Sequence, residues 1–165
     1  MEHWISARVK PIDRETAPRI EFDASPWGGG GAILFEGGLP TEFFATVWSD
    51  LVASKLNASV GDPSGQTTFE LYTVLLALVV WAGRFKHDGM ILMGDNLAAL
   101  DATLTLKGKG GMVAIVREIS WRRTRYAWKY DVAHLPAEAN VHADALSRSA
   151  APDAKQLPLM LANSL

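Results

Sequence analysis

Three strand-like runs near the start of the chain are joined by connections too short to contain a helix. The runs are residues 19–23, 32–35 and 43–48, and each has the residue pattern of a β-strand. Glycines at 28–31 and at 37–38 separate them. Because parallel neighbouring strands need a crossover of a dozen or more residues, these runs predict an antiparallel meander.

After the meander, apolar periodicity alternates between helical and strand-like. Residues 49–66 show no regular pattern, and Thr67 or Thr68 is a candidate cap for the helix that follows, with Glu70 in its first turn. The predicted elements are a helix to about residue 85, a strand at 90–93, helices at 96–106 and 112–123, a strand at 128–135 and a helix at 140–147. This order predicts an α/β fold with a mixed sheet flanked by helices.

The length of 165 residues predicts one domain between two short tails. We predict an N-terminal arm at residues 1–16, a domain at 17–149 and a C-terminal tail at 150–165. The chain contains no cysteine, which excludes a disulfide scaffold and thiolate metal sites. No signal-peptide pattern opens the sequence, and the longest apolar run, residues 74–82, is too short to cross a membrane. We therefore expect an intracellular protein without a membrane partner.

The net charge of −2 gives no overall basic signature, but the charges are unevenly distributed. Seven of the 16 lysines and arginines lie between Lys107 and Lys129, where Glu118 is the single acidic residue. This distribution has two interpretations, a local anionic partner or an ordinary solvated helix face.

Four carboxylates fall at positions where a site can form. Asp23 ends the first strand, Asp95 directly follows the fourth, Glu70 is near the start of the buried helix, and Asp144 lies in the last helix. Taken singly, the first three have ordinary explanations as turn, cap and helix-start residues. If the first and fourth strands are neighbours, Asp23 and Asp95 emerge side by side. Clustered carboxylates repel one another, which favours binding of hard divalent cations such as Mg²⁺ or Mn²⁺.

Four segments resemble the motifs of ribonuclease H domains. FDASPWGGGGAI (22–33) is similar to the first-strand motif, TTFELYTVLLAL (67–78) to the glutamate helix, and MGDNLAAL (93–100) to the second aspartate motif. HLPAEANVHADALSR (134–148) resembles the closing motif of ribonuclease H domains in retroelement reverse transcriptases, especially gypsy-type and DIRS-type elements. The order and the spacing of the four motifs agree with that family.

The resemblance implies a ribonuclease H-like fold of three antiparallel meander strands and two parallel strands, flanked by helices. It implies a nuclease that hydrolyses the RNA strand of RNA–DNA hybrids with two Mg²⁺ ions, for which Mn²⁺ can substitute. By analogy, Asp23 would bridge both ions, Asp144 would share one of them, and Glu70 and Asp95 would hold the other. A reverse transcriptase polymerase domain is a further implied partner.

Other residues are predicted to contact the nucleic acid. Gly28 and Gly29 would let the backbone approach a ribose, and Asn96 would bond the backbone or a base edge. Contacts to phosphates are expected from basic residues, namely Lys107, Lys109, Arg122, Arg123 and Arg125. Trp121 and Trp128 could pack in the core or stack on bases, and core packing is the favoured interpretation.

Many enzymes of the family place a mobile histidine before the last aspartate. His134 is the candidate here, ahead of His142, which lies on the last predicted helix.

Two alternatives to an active hybrid-specific ribonuclease stay open at this point. One is a catalytically inactive ribonuclease H-like module that binds nucleic acid or a polymerase partner. The other is a nuclease of the same superfamily that acts on DNA, such as a resolvase or an integrase. The complete set of four acids argues against the first alternative, and the closing motif argues against the second.

Overall fold

All five β-strands lie in the predicted parts of the chain, although the second begins at Gly29 and so contains three of the glycines predicted to separate strands. The computed structural model describes residues 10–152, 154 and 156–162. Within these residues the strands are β1 (Arg19–Ala24), β2 (Gly29–Glu36), β3 (Leu39–Val47), β4 (Met90–Gly94) and β5 (Tyr130–His134).

One sheet contains all five strands, in the order β3-β2-β1-β4-β5. β1, β2 and β3 pair antiparallel, as the short turns require, whereas β1 with β4 and β4 with β5 pair parallel. The predicted fold class, a mixed five-stranded sheet with helices, is therefore confirmed. Since β1 and β4 are parallel neighbours, their C-terminal ends meet at the same edge of the sheet.

Alternating side chains of β1 and β2 face two separate apolar layers. Ile20, Phe22 and Leu34 belong to the main core, whereas Ile33 and Phe35 belong to a smaller cluster with Leu146 and Leu161. The helices in these layers and around them are α1 (Asp50–Lys55), α2 (Gln66–Trp81), α3 (Leu97–Thr105), α4 (Met112–Tyr126), α5 (Val141–Ser147) and α6 (Leu159–Ala162).

α2 is the central helix of the main core. Its residues Phe69, Leu71, Val74 and Leu78 are fully buried. The helical run Pro63–Phe85, which includes α2, is 23 residues long with a mean hydropathy of 1.4, enough by length and composition to cross a membrane. This run is longer than the apolar stretch that the sequence indicates. Because the core helix of a folded domain meets the same criterion, its hydropathy is explained here by burial between the sheet and α4.

The segment that the sequence left unassigned contains two short helices. α1 is capped by Ser49, whose side chain accepts a hydrogen bond from the backbone N–H of Val52. A 3₁₀ turn, Pro63–Gly65, then leads directly into α2. The expected caps Thr67 and Thr68 are therefore wrong, because Gly65 is the residue that precedes α2. Glu70 consequently lies in the second turn of the helix and not in the first.

Both predicted tails are partly described. Residues 1–9 lie outside the described part, while Arg14 of the arm forms an ion pair with Asp131. In the tail, Ala151 and Leu161 are buried, and Leu161 packs with the cluster on the α5 side of the sheet. Of the two tryptophans expected in the core, Trp128 is buried, whereas Trp121 is 56% exposed and the prediction for it is wrong.

Two adjacent glycines of β2 allow helices to pack closely on both faces of the sheet. A Cβ atom at Gly30 would lie 2.1 Å from Oγ1 of Thr73 in α2. A Cβ atom at Gly31 would lie 2.3 Å from Cβ of Leu146 in α5 and 3.0 Å from the backbone nitrogen of Ser147. The glycine run therefore serves internal packing at these two positions.

We expect Gly31→Ala to destabilise the protein by about 1–3 kcal/mol, because the added methyl group meets the backbone of α5. Urea unfolding followed by circular dichroism measures the change in the free energy of unfolding. Gly83→Ala is the matched control, since a Cβ atom there meets nothing within 4 Å. Equal unfolding midpoints for Gly31→Ala and the unmodified protein would show that α5 does not pack on β2 as described.

Candidate active site

Three carboxylates from three different elements meet at the C-terminal edge of β1 and β4. Asp23 lies in β1, Asp95 directly follows β4, and Glu70 projects from α2. One ligand atom from each lies within 4.8 Å of the others. The parallel pairing of β1 with β4 puts the two aspartates side by side, as the sequence predicts. Glu70 joins them because α2 packs on β1 and β2.

Asp23 is buried at the centre of this group. Burial raises the pKa of its carboxyl group to about 6, and the negative charges of Asp95 and Asp144 add to the effect. The hydroxyl of Ser147 opposes the shift, since Oγ lies 2.7 Å from Oδ2 of Asp23 and donates a hydrogen bond to it. Ser147 thus connects α5 to the carboxylate on β1.

The pKa of the Glu70 carboxyl group is shifted further than that of Asp23. Burial first, and then the charge of Asp23, raise the pKa of Glu70 to about 8. Nε2 of Gln66, one helical turn earlier, donates hydrogen bonds to Oε1 of Glu70 at 2.7 Å and to the carbonyl oxygen of Ala24 at 2.5 Å. The other carboxyl oxygen, Oε2, is buried and has no hydrogen-bond partner among the described residues.

Asp144 faces the same cavity but is paired differently. Nε of Arg148 donates a hydrogen bond to Oδ1 of Asp144 at 2.7 Å. Arg148 is the C-cap residue of α5 and lies one helical turn after Asp144. Asp144 lies outside the group of three carboxylates that converge within 4.8 Å. Asp144 therefore has a guanidinium beside it.

The acids surround a cavity of about 380 Å³ that opens at the edge of the sheet. The residues that line it are Asp23, Ala24, Pro26, Gln66, Glu70, Asp95, Ala137, Asn140, Asp144 and Arg148. Nδ2 of Asn140 donates a hydrogen bond to the carbonyl oxygen of Phe22 at 2.9 Å, which fixes the start of α5 against β1. All four predicted carboxylates therefore border one cavity.

The residues present fit a divalent cation. Carboxylate oxygens are the ligands that Mg²⁺ and Mn²⁺ prefer. Three of them converge, and Oε2 of Glu70 is a buried acceptor without a partner, which is costly unless a cation or a proton binds it. The cluster is thus compatible with a divalent metal ion.

The polar residues that hold the acids in place were given no role from the sequence, although three of them lie in the closing motif. Gln66, Ser147, Asn140 and Arg148 belong to this group. Gln66 and Arg148 are each four residues from an acid of the site, a helical spacing that signals a contact. No comparable signal exists for Ser147, whose partner is 124 residues away in the sequence.

The two candidate histidines lie on different sides of the site. His134 is exposed at the end of β5 and is the register partner of Gly94, the residue before Asp95. It does not line the cavity. His142 lies on α5 with its ring 6.4 Å from that of Phe35, on the opposite face of the sheet from α2. His134 is therefore the nearer of the two to the strand end that carries Asp95.

The residues predicted to bind nucleic acid have different surroundings in the structure. Gly28 and Gly29 are buried, and a Cβ atom at either would meet the protein's own backbone, which supplies a structural reason for glycine. Asn96 caps α3 through a hydrogen bond from the N–H of Ala99, and its Nδ2 bonds Oγ1 of Thr67. Asn96 thus lies between Asp95 and the start of α2.

The basic stretch is divided between two ends of the molecule. Lys107 and Lys109 line a cavity of about 690 Å³ together with Thr67, the partner of Asn96. The other three, Arg122, Arg123 and Arg125, lie in the last turns of α4. There the guanidinium of Arg123 is 4.7 Å from the ring centroid of Tyr130, at the start of β5. Because the carboxylates are at the strands' C-terminal ends, these arginines lie toward the opposite end of the sheet.

The overall structure resembles solved ribonuclease H1 domains, although no protein-family model and no curated protein matches the sequence. LC11-RNase H1, isolated from compost by a metagenomic approach, superposes with a TM-score of 0.61 at 12% identity, covering 82% of this chain and 96% of that one.

Two further structures give the same result. RNase H1 from the halophilic archaeon Halobacterium salinarum has a TM-score of 0.58 at 16% identity, with 81% of this chain and 94% of that chain covered. The N-terminal ribonuclease H domain of a Mycobacterium tuberculosis protein has a TM-score of 0.57 at 11% identity, with 81% and 92% covered. The similarity thus extends over nearly the whole of these domains, and the chain has the ribonuclease H fold.

Proposed function

We propose that this protein is a metal-dependent endonuclease that hydrolyses the RNA strand of RNA–DNA hybrids. The observation that carries the proposal is the convergence of Asp23, Glu70 and Asp95 within 4.8 Å at the C-terminal edge of β1 and β4. Asp144 borders the same cavity. Such a cluster of acids is costly to bury without a cation, so the fold maintains it at the expense of stability.

The residues that would hold divalent ions are the four carboxylates. Asp23, Glu70 and Asp95 are close enough to share one ion, and Asp144 would complete a second position with Asp23. When bound, a pair of Mg²⁺ ions supplies an activated water and stabilises the leaving oxygen of the phosphodiester.

The chain's own polar groups would orient these ligands. Ser147 directs one oxygen of Asp23, and Gln66 holds Oε1 of Glu70, whereas the buried Oε2 has no hydrogen-bond partner among the described residues. Asn140 fixes α5, and with it Asp144, against β1. His134 is proposed as a proton carrier at the end of β5, next to the strand end that carries Asp95.

The choice of substrate is supported by a related structure and by the nearby surface. LC11-RNase H1 has also been solved in complex with an RNA/DNA hybrid, and that structure superposes on this chain with a TM-score of 0.58 at 11% identity. Lys107 and Lys109 border the groove beside Asn96 and would contact phosphates. Gly28 and Gly29 are buried and do not line this groove.

The closing motif at residues 134–148 supports a more specific origin, a retroelement reverse transcriptase of the gypsy or DIRS type. In that setting a polymerase domain would be the protein partner.

Asp23→Asn is expected to lower cleavage of a labelled RNA–DNA hybrid by at least about a hundredfold, because it removes a shared metal ligand. Product accumulation on a denaturing gel, in Mg²⁺ and separately in Mn²⁺, measures the rate. Asp88→Asn is the matched control, since Asp88 is exposed and pairs with Lys10 at 3.6 Å.

Three outcomes of this assay would change the proposal. An unmodified protein that cleaves no hybrid in either metal would favour the inactive binding module. Cleavage of duplex or branched DNA with hybrids left intact would favour a DNA nuclease. Equal rates for Asp23→Asn and Asp88→Asn would remove Asp23 from the active site.

The raised pKa values predict a metal-free protein that becomes less stable as the pH rises. The folded state binds protons at Glu70 and Asp23 with pKa values of about 8 and about 6, above the ordinary values of 4.5 and 3.8. Between these limits the folded state holds more protons at these two groups than the unfolded one, so their contribution to stability is greatest below about pH 4 and falls until about pH 8.

Thermal unfolding in a chelator tests this dependence. We expect the midpoint to fall between pH 5.5 and 8.5, and Glu70→Gln to show a smaller fall because it cannot ionise. Added Mg²⁺ should raise the midpoint more at pH 8.5 than at pH 5.5, since it binds the ionised carboxylates. The same pH dependence in Glu70→Gln as in the unmodified protein would refute the role given to Glu70.

Arg148→Gln is expected to tighten Mn²⁺ binding by about threefold to tenfold, because a positive charge beside Asp144 repels the incoming cation. Isothermal titration calorimetry measures the affinity without requiring activity. Arg122→Gln is the matched control, because Arg122 pairs with Glu118 at 2.6 Å with the same helical spacing but does not line the cavity. Weaker or unchanged binding in Arg148→Gln alone would argue against this repulsion.

A further inference from the structure

The exposed face of α4 carries a tryptophan between two arginines. Arg117, Trp121 and Arg125 are each separated by four residues, so they follow one another along the helix at intervals of about 6 Å. All three are exposed. We refer to this group as the arginine–tryptophan stripe.

The stripe is positively charged. Among the described residues, neither Arg117 nor Arg125 forms an ion pair. The neighbouring acid, Glu118, is paired with Arg122 and therefore does not neutralise the stripe. An anionic partner would meet two uncompensated guanidinium groups here, one on each side of an indole ring.

The indole of Trp121 is held in place from one side. Its ring meets that of Tyr126 edge to face, at 6.1 Å and 89°, and Tyr126 in turn contacts the buried Trp128 at 6.4 Å. Among the described residues no guanidinium lies over the Trp121 ring. The side chain is therefore supported by the core while 56% of its surface stays exposed.

We propose that the stripe binds a single-stranded segment of nucleic acid that continues from the substrate hybrid. Phosphates would contact Arg117 and Arg125, and a base would stack on Trp121. A polynucleotide alternates anionic phosphates with flat bases, which matches the alternation of guanidinium and indole on α4. This inference rests on the proposed function, because the hybrid is what would deliver such a strand.

The position of α4 supports this occupant, although the groove and the stripe lie on opposite faces of the helix, so that a strand between them must cross α4. The helix begins at Met112, which lines the groove that Lys107 and Lys109 also border. Trp121 lies nine residues further along, which is about 14 Å on a helix. A strand that leaves the groove along α4 therefore reaches the stripe within a few nucleotides, well away from the four carboxylates.

Binding measurements in a chelator test the proposal without cleavage. The probes are a fluorescent blunt hybrid, the same hybrid with a single-stranded DNA extension, and the extension alone, followed by fluorescence anisotropy. In the unmodified protein we expect the extension to improve affinity by about tenfold. Trp121→Ala should abolish this gain, Trp121→Phe should keep most of it, and Arg117→Gln with Arg125→Gln should reduce its dependence on salt.

The double variant Arg84→Gln with Lys86→Gln is the control, because it removes the same number of positive charges from another surface. For this control we expect the extension to improve affinity as much as in the unmodified protein. A gain that persists in Trp121→Ala, with unchanged thermal unfolding, would overturn the proposal. Binding of a glutamate-rich, leucine-containing peptide that depends on Trp121, with no effect of the extension, would also overturn it and indicate a protein partner.

The probes separate this inference from the proposed function. If the blunt hybrid is neither bound nor cleaved but the extension alone binds through Trp121, the binding role of the stripe is supported and the proposed hybrid nuclease activity is refuted. If the hybrid is bound and cleaved while the extension adds nothing, the nuclease stands and the stripe is refuted.

Discussion

The parallel pairing of β1 with β4 is the constraint on which the candidate site depends. It brings the end of β1 and the end of β4 to one edge, so that Asp23 and Asp95 lie beside each other although 72 positions separate them in the sequence. α2 then packs on β1 from one face with Glu70, and α5 packs on β1 from the other with Asp144. A different neighbour for β1 would scatter the four acids.

The carboxylates of the site repel one another, and the fold holds them in place mostly with uncharged hydrogen-bond donors. Ser147 and Gln66 each donate a hydrogen bond to a buried carboxylate, which orients it without neutralising its charge. The guanidinium of Arg148 is placed beside Asp144. The central three acids therefore stay receptive to a cation, while the fourth has a partner of its own.

Much of the architecture could be predicted because it follows from local pattern. Alternation and glycine-rich turns located the strands, and the position of Asp23 and Asp95 after two of them was enough to expect the pairing at the edge. α1 was missed because six residues are too few for a visible apolar period. Arg148 was given no role although its spacing from Asp144 signals the contact. Trp121 was misjudged because its surroundings depend on how helices pack, which local pattern does not contain.

The glycine pair in β2 has a consequence for how this protein can change. At Gly30 and Gly31 only the backbone of β2 separates α2 from α5, because Thr73 and Leu146 occupy the space that side chains at these positions would need. The helices carrying Glu70 and Asp144 are thus spaced by the strand itself. A bulkier residue on either face would widen that spacing for both, so the two sides of the sheet cannot drift independently in evolution.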